Sequence, residues 1–550
     1  MAVSAASTRR SPPALLQVYS DVSAEWVSGD NSLIANWSTT TDSIITHQVQ
    51  LTTPVPFSEI NDHTQYGSAF YSTPNTASAT FQSGADVVVR AQFINSGALP
   101  NARDTNFRVV SNNWPVFALA RDLGTVTAAT EPVVFSVGHF RDPVIHSPAQ
   151  PTSSRHSNAF ARAQAFDTKV QNDANKISAD YTGIVELSIR QAFGTIEFTI
   201  SKNADGSFNA NDIRPRKQLR YLTLCQSEIS SNGNMNTVDV IFPAWPLFLY
   251  TNPAIGKYLL EASFRYQATG QYPNKFSIHD LGARCPNATG HNDGNDEHIP
   301  VEESGNMIIM SLSYAEKTGD HSHIQQYSAL LDQWTQFLIE DSLIPANQIS
   351  TDDFAGPLAN QTNLAIKGII GIRAMEEIEN LLGNTAKAVN YSAFASDYVG
   401  QWQTLSASSS GQHLTLSYGN SSSWGLSYNL FADKMLKLNL FPESVYTMQT
   451  AWYKTVAQPF GVPLDTRHTY TKSDWEIWTA GIMTDSAGRD LFIGAVKRWA
   501  SDGLSSQPFG DWYETTDGRP QGFRARPVVG GHLAYPLMPF FSRSSLVRSL

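Results

Sequence analysis

The chain has 550 residues, of which 41% are hydrophobic, 11% aromatic and 16% charged, with a formal net charge of −11. This length exceeds what one ordinary core holds, and an aromatic content this high with so little charge excludes an intrinsically disordered chain. No basic stripe exists to neutralise phosphates, which argues against a nucleic-acid partner, and no apolar run approaches the roughly 20 residues of a membrane span.

The first segment, "MAVSAASTRRSPPALLQVYS", has no signal-peptide core, because Arg9, Arg10, Pro12 and Pro13 interrupt it. Residues 1–150 then read as strands. The stretches "LLQVYSDVSAEWV", "ITHQVQLTT", "ASATFQSGADVVVRAQFI" and "PVVFSVGHFR" alternate β-branched and aromatic residues with polar ones. Turn-rich pieces such as "SGDNS" and "STPNT" separate them, and no helical period of comparable length appears. An antiparallel β-sandwich is expected here. Because the chain enters its first long strand without a hairpin partner, the sandwich is expected to be incomplete, with an open sheet edge.

Residues 153–193 read as two helices capped by Ser154 and Ser178. A short β excursion follows in "GTIEFTISKNADGSF" and "LRYLTLCQSEIS", its Asp-Gly pair marking a turn. From about 252 the pattern is helical, with helices expected near 252–268, 302–317, 323–338, 361–382, 386–405, 427–436, 441–457, 473–484, 487–500 and 528–540. The clearest is 323–338, where Tyr327, Leu330, Leu331, Trp334, Phe337 and Leu338 keep helical spacing. Close to a dozen similar helices joined by unequal loops suit hairpins arranged in a ring, an (α/α)6 toroid over 151–545. A generic helical array would carry the same periodicity, whereas the lack of a fixed repeat length speaks against a solenoid.

In such a ring the long loops lead into inner-helix N-termini around one mouth, and three of them carry carboxylates. The first runs from His279 and Asp280 through Asp293, Asp296 and Glu297 to Glu302 and Glu303, with Gly282, Gly290 and Gly294 permitting tight turns. Its acids are denser than a cap requires, although a charge run at a helix start is the plain alternative, and the spacing is not that of an EF-hand. The second, "ISTDDFAGPLANQTN", presents Asp352 and Asp353 ahead of Phe354. In the third, "YTKSDWEIWTAGIM", Ser473 or Asp474 can cap a helix that carries Asp474 and Glu476 beside Trp475 and Trp478. An acid against an aromatic wall has a raised pKa and can act as a general acid, while the structural alternative is a capped helix burying two tryptophans.

Paired carboxylates serve hydrolysis, one activating water and the other protonating the leaving group. The chain holds no GxSxG, SxxK, HExxH, GxGxxG or phosphate-binding loop, so serine-hydrolase, zincin and nucleotide-binding chemistry lose support and neither cofactor nor metal is called for. Cys225 and Cys285 can form one bridge in an oxidising compartment or remain two thiols in a reducing one. Sequons at Asn36, Asn287, Asn360, Asn390 and Asn420 suit a secreted glycoprotein.

Seven blocks in order, "WPVFALARDLGTV", "SVGHFRDPVI", "EISSNGNMNTVDVIFPAWPLFLYTNP", "HDLGARCPNATGHNDGNDEHIPVEESGNMIIM", "STDDFAGPLANQTNLAIKGIIGI", "TKSDWEIWTAGI" and "PFGDWYETTDGRPQGFRARPVVGGHLAYPL", resemble the fungal glutaminase A family over nearly the whole chain. The resemblance implies a β-sandwich followed by a six-hairpin toroid, secretion, and hydrolysis of L-glutamine to L-glutamate and ammonia. It also implies a chain shortened at its N-terminus, since members usually begin with a signal peptide and further β-domain. Placed on these blocks, one of Glu302 and Glu303 is expected to be the base. Asp352, Asp353 or Asp474 is then the acid or the partner of the substrate's α-amine, with His279, Asp280, Asp293 and Trp475 lining the site. The α-carboxylate needs a cation, for which Arg524 and Arg526 stand as candidates against a purely structural role in ion pairs. Two other readings compete: a glycoside hydrolase using the same acids with Trp475 or Trp424 as a sugar platform, and a non-catalytic paralogue.

Overall fold

Along Ile44–Leu51 every second residue is buried, Ile45, His47, Val49 and Leu51, the period-2 pattern of a strand with one face on a core. The computed structural model describes residues 2–3, 14–61, 63–127, 130, 133–142, 159–198, 224–226, 231–282 and 287–537. The chain divides into two compact units: Met1–Ser154 with Thr199–Tyr221 and Arg284–Ala288, and Arg155–Phe198 with Leu222–Ala283 and Thr289–Leu550.

In the first unit, Ile44–Leu51 is the middle strand of an antiparallel sheet ordered Ser136–Phe140, Ser68–Pro74, Ile44–Leu51, Ile34–Thr41, Arg108–Val109. A second sheet runs Ala14–Ser23, Pro115–Val126, Ala79–Ala85. Trp37, Val49 and Tyr71 of the first share one core with Val22, Phe81, Phe117 and Leu119 of the second, which makes the pair a sandwich. Ala14–Ser23 lies at the end of its sheet, where the open edge was expected.

Residues 86–94, expected to continue a strand, instead form helix α1 (Asp86–Ser96). Val89 and Phe93 pack on Val116, Ala118 and Ala120, so the strand Pro115–Val126 is covered on both faces. The Asp86 carboxylate accepts the Val87 N–H at 2.7 Å, and Gly97 at φ 68° ends the helix. Packing of Val89 and Phe93 here overrides the strand preference of the valine run, of which Val87 and Val88 stay exposed.

The second unit is helical: α2 (Ala159–Asn175), α3 (Ala179–Gly194), α4 (Val238–Thr251), α5 (Pro253–Ala268), α6 (Pro300–Thr318), α7 (Ser322–Gln326), α8 (Ser328–Asp341), α9 (Thr362–Leu382), α10 (Thr385–Ser406), α11 (Leu430–Leu436), α12 (Glu443–Val456), α13 (Ser473–Ala480) and α14 (Ser486–Ala500). A 3-10 run, Pro527–Leu533, continues into α15 (Ala534–Leu537). The described residues form six inner segments, α4, α6, α9, α11, α13 and Pro527–Leu533, backed by α3, α5, α8, α10, α12 and α14. The inner segments are buried nearly all round; in α6 every residue from Pro300 to Ala315 is buried. Successive inner segments touch, and Phe431 of α11 meets Trp478 of α13 with ring centroids 4.9 Å apart, which closes the ring. This is the six-hairpin toroid.

Several expected elements shift. Helix α4 is not among the expected elements; Pro243 and Pro246, residues that ordinarily break a helix, lie inside it. Pro243 has no N–H for the Asp239 carbonyl, and Thr351 Oγ1 reaches that carbonyl at 3.5 Å instead. The helix expected over 323–338 breaks at Tyr327, and α13 stops at Ala480. The helix expected over 528–540 is the 3-10 run and α15 as far as the described residues reach. In it Gly531 lies so close to α4 that a Cβ would fall 2.6 Å from the Pro243 oxygen. Ser178 caps α3 by accepting the Tyr181 N–H, and the β excursion appears as Ile196–Phe198 paired with Leu224–Gln226. Ser154, the Asp205–Gly206 turn and Cys285, and with it the bridge to Cys225, lie outside the described residues.

Helices α6 and α9 cross through two glycines: a Cβ on Gly371 would sit 3.3 Å from the Gly305 Cα, and one on Gly305 would sit 2.7 Å from Lys367 Cγ. Gly305→Ala is therefore expected to destabilise the protein by about 1–3 kcal/mol through overpacking. Denaturant unfolding checks this, and an unchanged midpoint would show that the crossing relaxes freely.

Candidate active site

Because each hairpin returns the chain, all six inner segments run the same way and their N-termini meet at one end of the ring. Each end brings a polar or ionisable group: Asp239 on α4, Glu302 and Glu303 on α6, Asp352 before α9, Tyr428 before α11, Lys472 and Asp474 at α13, and Arg526 before Pro527. Unpaired N–H groups and the positive ends of the helix dipoles favour carboxylates there.

Glu302 and Asp352 line one cavity of about 40 Å³, with Asn363, Tyr428, Asp465 and Arg467 also in its wall. Asp352 is held on both oxygens. Tyr428 Oη donates to Oδ2 at 2.7 Å and Trp475 Nε1 donates to Oδ1 at 3.0 Å. The two rings stack 4.0 Å apart at 7°, so the donors are set rigidly. Burial raises the Asp352 carboxyl to about 7, against the pull of the Lys472 charge and the Tyr428 hydrogen bond.

Glu302 is 1% exposed and faces Lys367, whose Nζ lies 3.2 Å from its Oε1. The same ammonium donates to Asn306 Oδ1 at 2.6 Å and sits 3.2 Å over the Phe242 ring. Burial pushes the Glu302 carboxyl up while Lys367 draws it back, and burial lowers Lys367 to about 8. Glu303, one position on, accepts from Asn306 Nδ2 at 3.2 Å; burial and the charge of Asp239 push its carboxyl well up.

Beside these, His279 is buried with Nδ1 2.8 Å from Asp280 Oδ2, while its Nε2 lies 3.5 Å from Asp239 and 3.7 Å from Glu297. Asp280 also accepts from the Gly282 N–H at 2.6 Å and pairs with His291 Nε2 at 2.9 Å. Burial opposes its ionisation, but the two histidines hold its carboxyl well below the usual range. A second buried group joins Lys472 to Asp474 at 3.3 Å and to Asp511 at 3.8 Å, with Arg526 3.8 Å from Asp511. Burial raises Asp474 to about 6, with Lys472 opposing and Asp511 reinforcing.

Of the expected site residues, Glu302, Glu303, Asp352, Asp474, His279 and Asp280 come together as buried groups. Others fall elsewhere. Asp353 is exposed and accepts the Phe354 N–H at 2.8 Å, starting a 3-10 turn. Asp293 is exposed and folds onto Asn295, whose N–H and side-chain amide both reach it at 3.1 Å. Arg524 donates to Gln507 at 2.7 Å and to the Phe523 carbonyl at 3.1 Å, whereas Arg526 is the one that enters the buried network. Trp475 presents no platform: it is fully buried and stacked on Tyr428, so its indole positions Asp352. Neither Ser473 nor Asp474 is the cap of α13; Lys472 occupies that position, because both acid and helix start are drawn inside.

Sequence reasoning missed Asp239, Lys367, Tyr428, Lys472, Asp511 and Arg467. A usable signal existed for two of them. Lys367 in "NLAIKGIIGI" and Asp239 in "VDVIFPAW" are lone charges in apolar runs, and a lone buried charge demands a partner.

A family model described as the glutaminase A six helical-hairpin domain matches residues 178–536, and one described as a domain of unknown function (DUF5127) matches residues 1–184. The chain is 43% identical to Glutaminase A of Aspergillus oryzae, across 94% of this chain and 77% of that protein. It is 33% identical to a protein of Arthroderma benhamiae named "Probable glutaminase/05536", across 94% of this chain and 72% of the other. Among solved structures, a bacterial glucoamylase complexed with acarbose is similar at TM-score 0.42 and 10% identity, covering 95% of this chain and 85% of that one.

Proposed function

The chain belongs to the glutaminase A family, and from that membership we propose that it is a hydrolase converting L-glutamine to L-glutamate and ammonia at the mouth of the toroid. One observation carries the assignment of roles: Glu302 and Asp352 line the same cavity, and Asp352 keeps a proton near neutral pH. Glu302 takes a proton from the water that adds to the side-chain carbonyl carbon. Asp352 delivers its proton to the amide nitrogen, the C–N bond breaks and ammonia leaves. Glu303 does not line that cavity and Asp474 is tied to Lys472, so neither fits these roles as well. The cavity's 40 Å³ compares with the roughly 10–15 Å³ that one water needs, which suits an amide end and its attacking water and leaves the amino-acid end outside. Arg467 in the cavity wall, paired with Asp465 at 2.6 Å, then offers its cation to the α-carboxylate by exchanging part of that pairing, and exposed Asp353 serves the α-amine.

Ammonia release from L-glutamine, run beside a panel of aryl glycosides, tests this reading; turnover of a glycoside with none of glutamine would overturn it. Tyr428→Phe removes a hydrogen bond that favours ionised Asp352, so the falling limb of the rate–pH profile is expected to move to higher pH. A limb that stays in place would detach Tyr428 from the acid. An extracellular location and glycosylation belong to the same proposal. Asn390 and Asn420 are exposed, and enzymatic deglycosylation of material from a fungal host should lower the mass.

A further inference from the structure

We propose that Asp239, His279 and Glu303 form a binding site for a first-row divalent metal ion, of the Zn²⁺ or Mn²⁺ type. The three donors come from separate segments, the first turn of α4, the loop before α6 and the first turn of α6, which is why no spacing motif announces them. One donor atom from each of Asp239, His279 and Glu303 lies within 4.8 Å of the other two, and all three residues are buried. The Asp239 Oδ1 to His279 Nε2 separation is 3.5 Å. Two ligands bound to one ion at about 2.0–2.2 Å stand roughly 3–3.5 Å apart, so little movement is needed.

Two further observations point to a cation. Asp239 Oδ1 and Glu303 Oε1 accept no hydrogen bond, although their residues are only 8% and 1% exposed. Buried carboxylate oxygens are ordinarily satisfied, and an ion between them satisfies both. The histidine is also oriented as a ligand. Its Nδ1 is 2.8 Å from Asp280, itself fixed by the Gly282 N–H, His291 and the Asn234 amide at 3.3 Å. A carboxylate behind Nδ1 sets the tautomer and aims Nε2 at the metal. Glu297 Oε2, 3.7 Å from Nε2, is placed as a fourth ligand and third oxygen. One nitrogen with two or three oxygens suits zinc or manganese, whereas calcium takes six to eight oxygens. Bound there, the ion would pin the first turn of α6 and so the neighbouring Glu302, whatever the substrate.

The test strips the full chain with a chelator and titrates Zn²⁺ and Mn²⁺ calorimetrically, with thermal unfolding followed in parallel. One ion per chain and a rise in Tm are expected for wild type. His279→Ala and Glu303→Gln should each lose at least about 100-fold in affinity. Asp280→Asn, which keeps every ligand, should lose about 10–100-fold, and Asp293→Asn, an exposed acid of the same loop, should bind as wild type. Absence of saturable binding by wild type overturns the proposal. Equal binding by wild type and all four variants overturns it as well, since the ion then sits elsewhere. If only ammonium or L-glutamine raises the Tm, the cluster holds the substrate's amine and the metal assignment falls while the glutaminase reading stands.

Discussion

Asp352→Asn is expected to lower the turnover of L-glutamine about 10²- to 10⁴-fold, the range that a positioned general acid contributes, with the fold intact. The residue is 7% exposed and clamped by Tyr428 and Trp475, so an amide of the same shape fits the clamp but has no proton to give. In the wild type the reactive form is protonated Asp352, and burial places its pKa at about 7. The rate should therefore fall as pH rises through about 7, and the variant's residual rate should lack that limb. Stability carries the same signature. An unfolded aspartate ionises near ~3.9, so between that pH and about 7 the folded protein holds a proton that the unfolded chain has released. Its contribution to stability is whole below the unfolded pKa and is lost progressively as pH rises toward 7, after which it stays level. The variant cannot ionise and should lose that slope. Wild-type turnover with an unaltered alkaline limb would remove Asp352 from the chemistry.

Lys367→Met is expected to destabilise the protein by up to about 3–5 kcal/mol, because Glu302 loses its counter-charge and must either hold an uncompensated buried charge or take up a proton. Methionine retains contact with the Phe242 ring, so little of the loss comes from packing. Turnover should also fall, by about 10²-fold or more, since an unpaired buried carboxylate takes up a proton and ceases to be a base. The double variant Glu302→Gln with Lys367→Met separates the two effects. No isolated charge remains, so most of the stability should return, whereas activity should not. Urea unfolding and ammonia release read the two quantities independently. A single variant as stable as wild type would mean that Glu302 does not depend on Lys367 for its charge balance.

Much of the architecture was legible because periodicity is local. The helices over 302–317, 361–382, 386–405 and 487–500 fall within a few residues of α6, α9, α10 and α14, each an amphipathic or apolar run with flanking stop signals. The errors share a cause. Helix α1 lies in a stretch expected to be a strand, where Val87, Val88 and Val89 favour one, and α4 falls where no element is expected, its Pro243 and Pro246 being residues that ordinarily break helices. In both, what the segment packs against outweighs what it prefers. The Asp-rich loop before α6 illustrates both sides. Its density of acids drew attention to Glu302 and Glu303, which the fold buries, yet Asp293 of the same loop turns to solvent and closes on Asn295.

By itself, then, the amino-acid sequence determined the order of sandwich and toroid, the family, and the helix starts at which carboxylates gather. Only the tertiary structure decided between neighbours. It buries Asp352 and exposes Asp353, turns Arg526 inward and Arg524 outward, and converts Trp475 from an open platform into a clamp. It also supplies Lys367 to Glu302 and Tyr428 to Asp352 across long stretches of chain. The reason is physical. Helix and strand follow from interactions between residues a few positions apart, whereas the proton affinity and reach of a carboxylate follow from burial and from partners that only packing brings within a few ångströms.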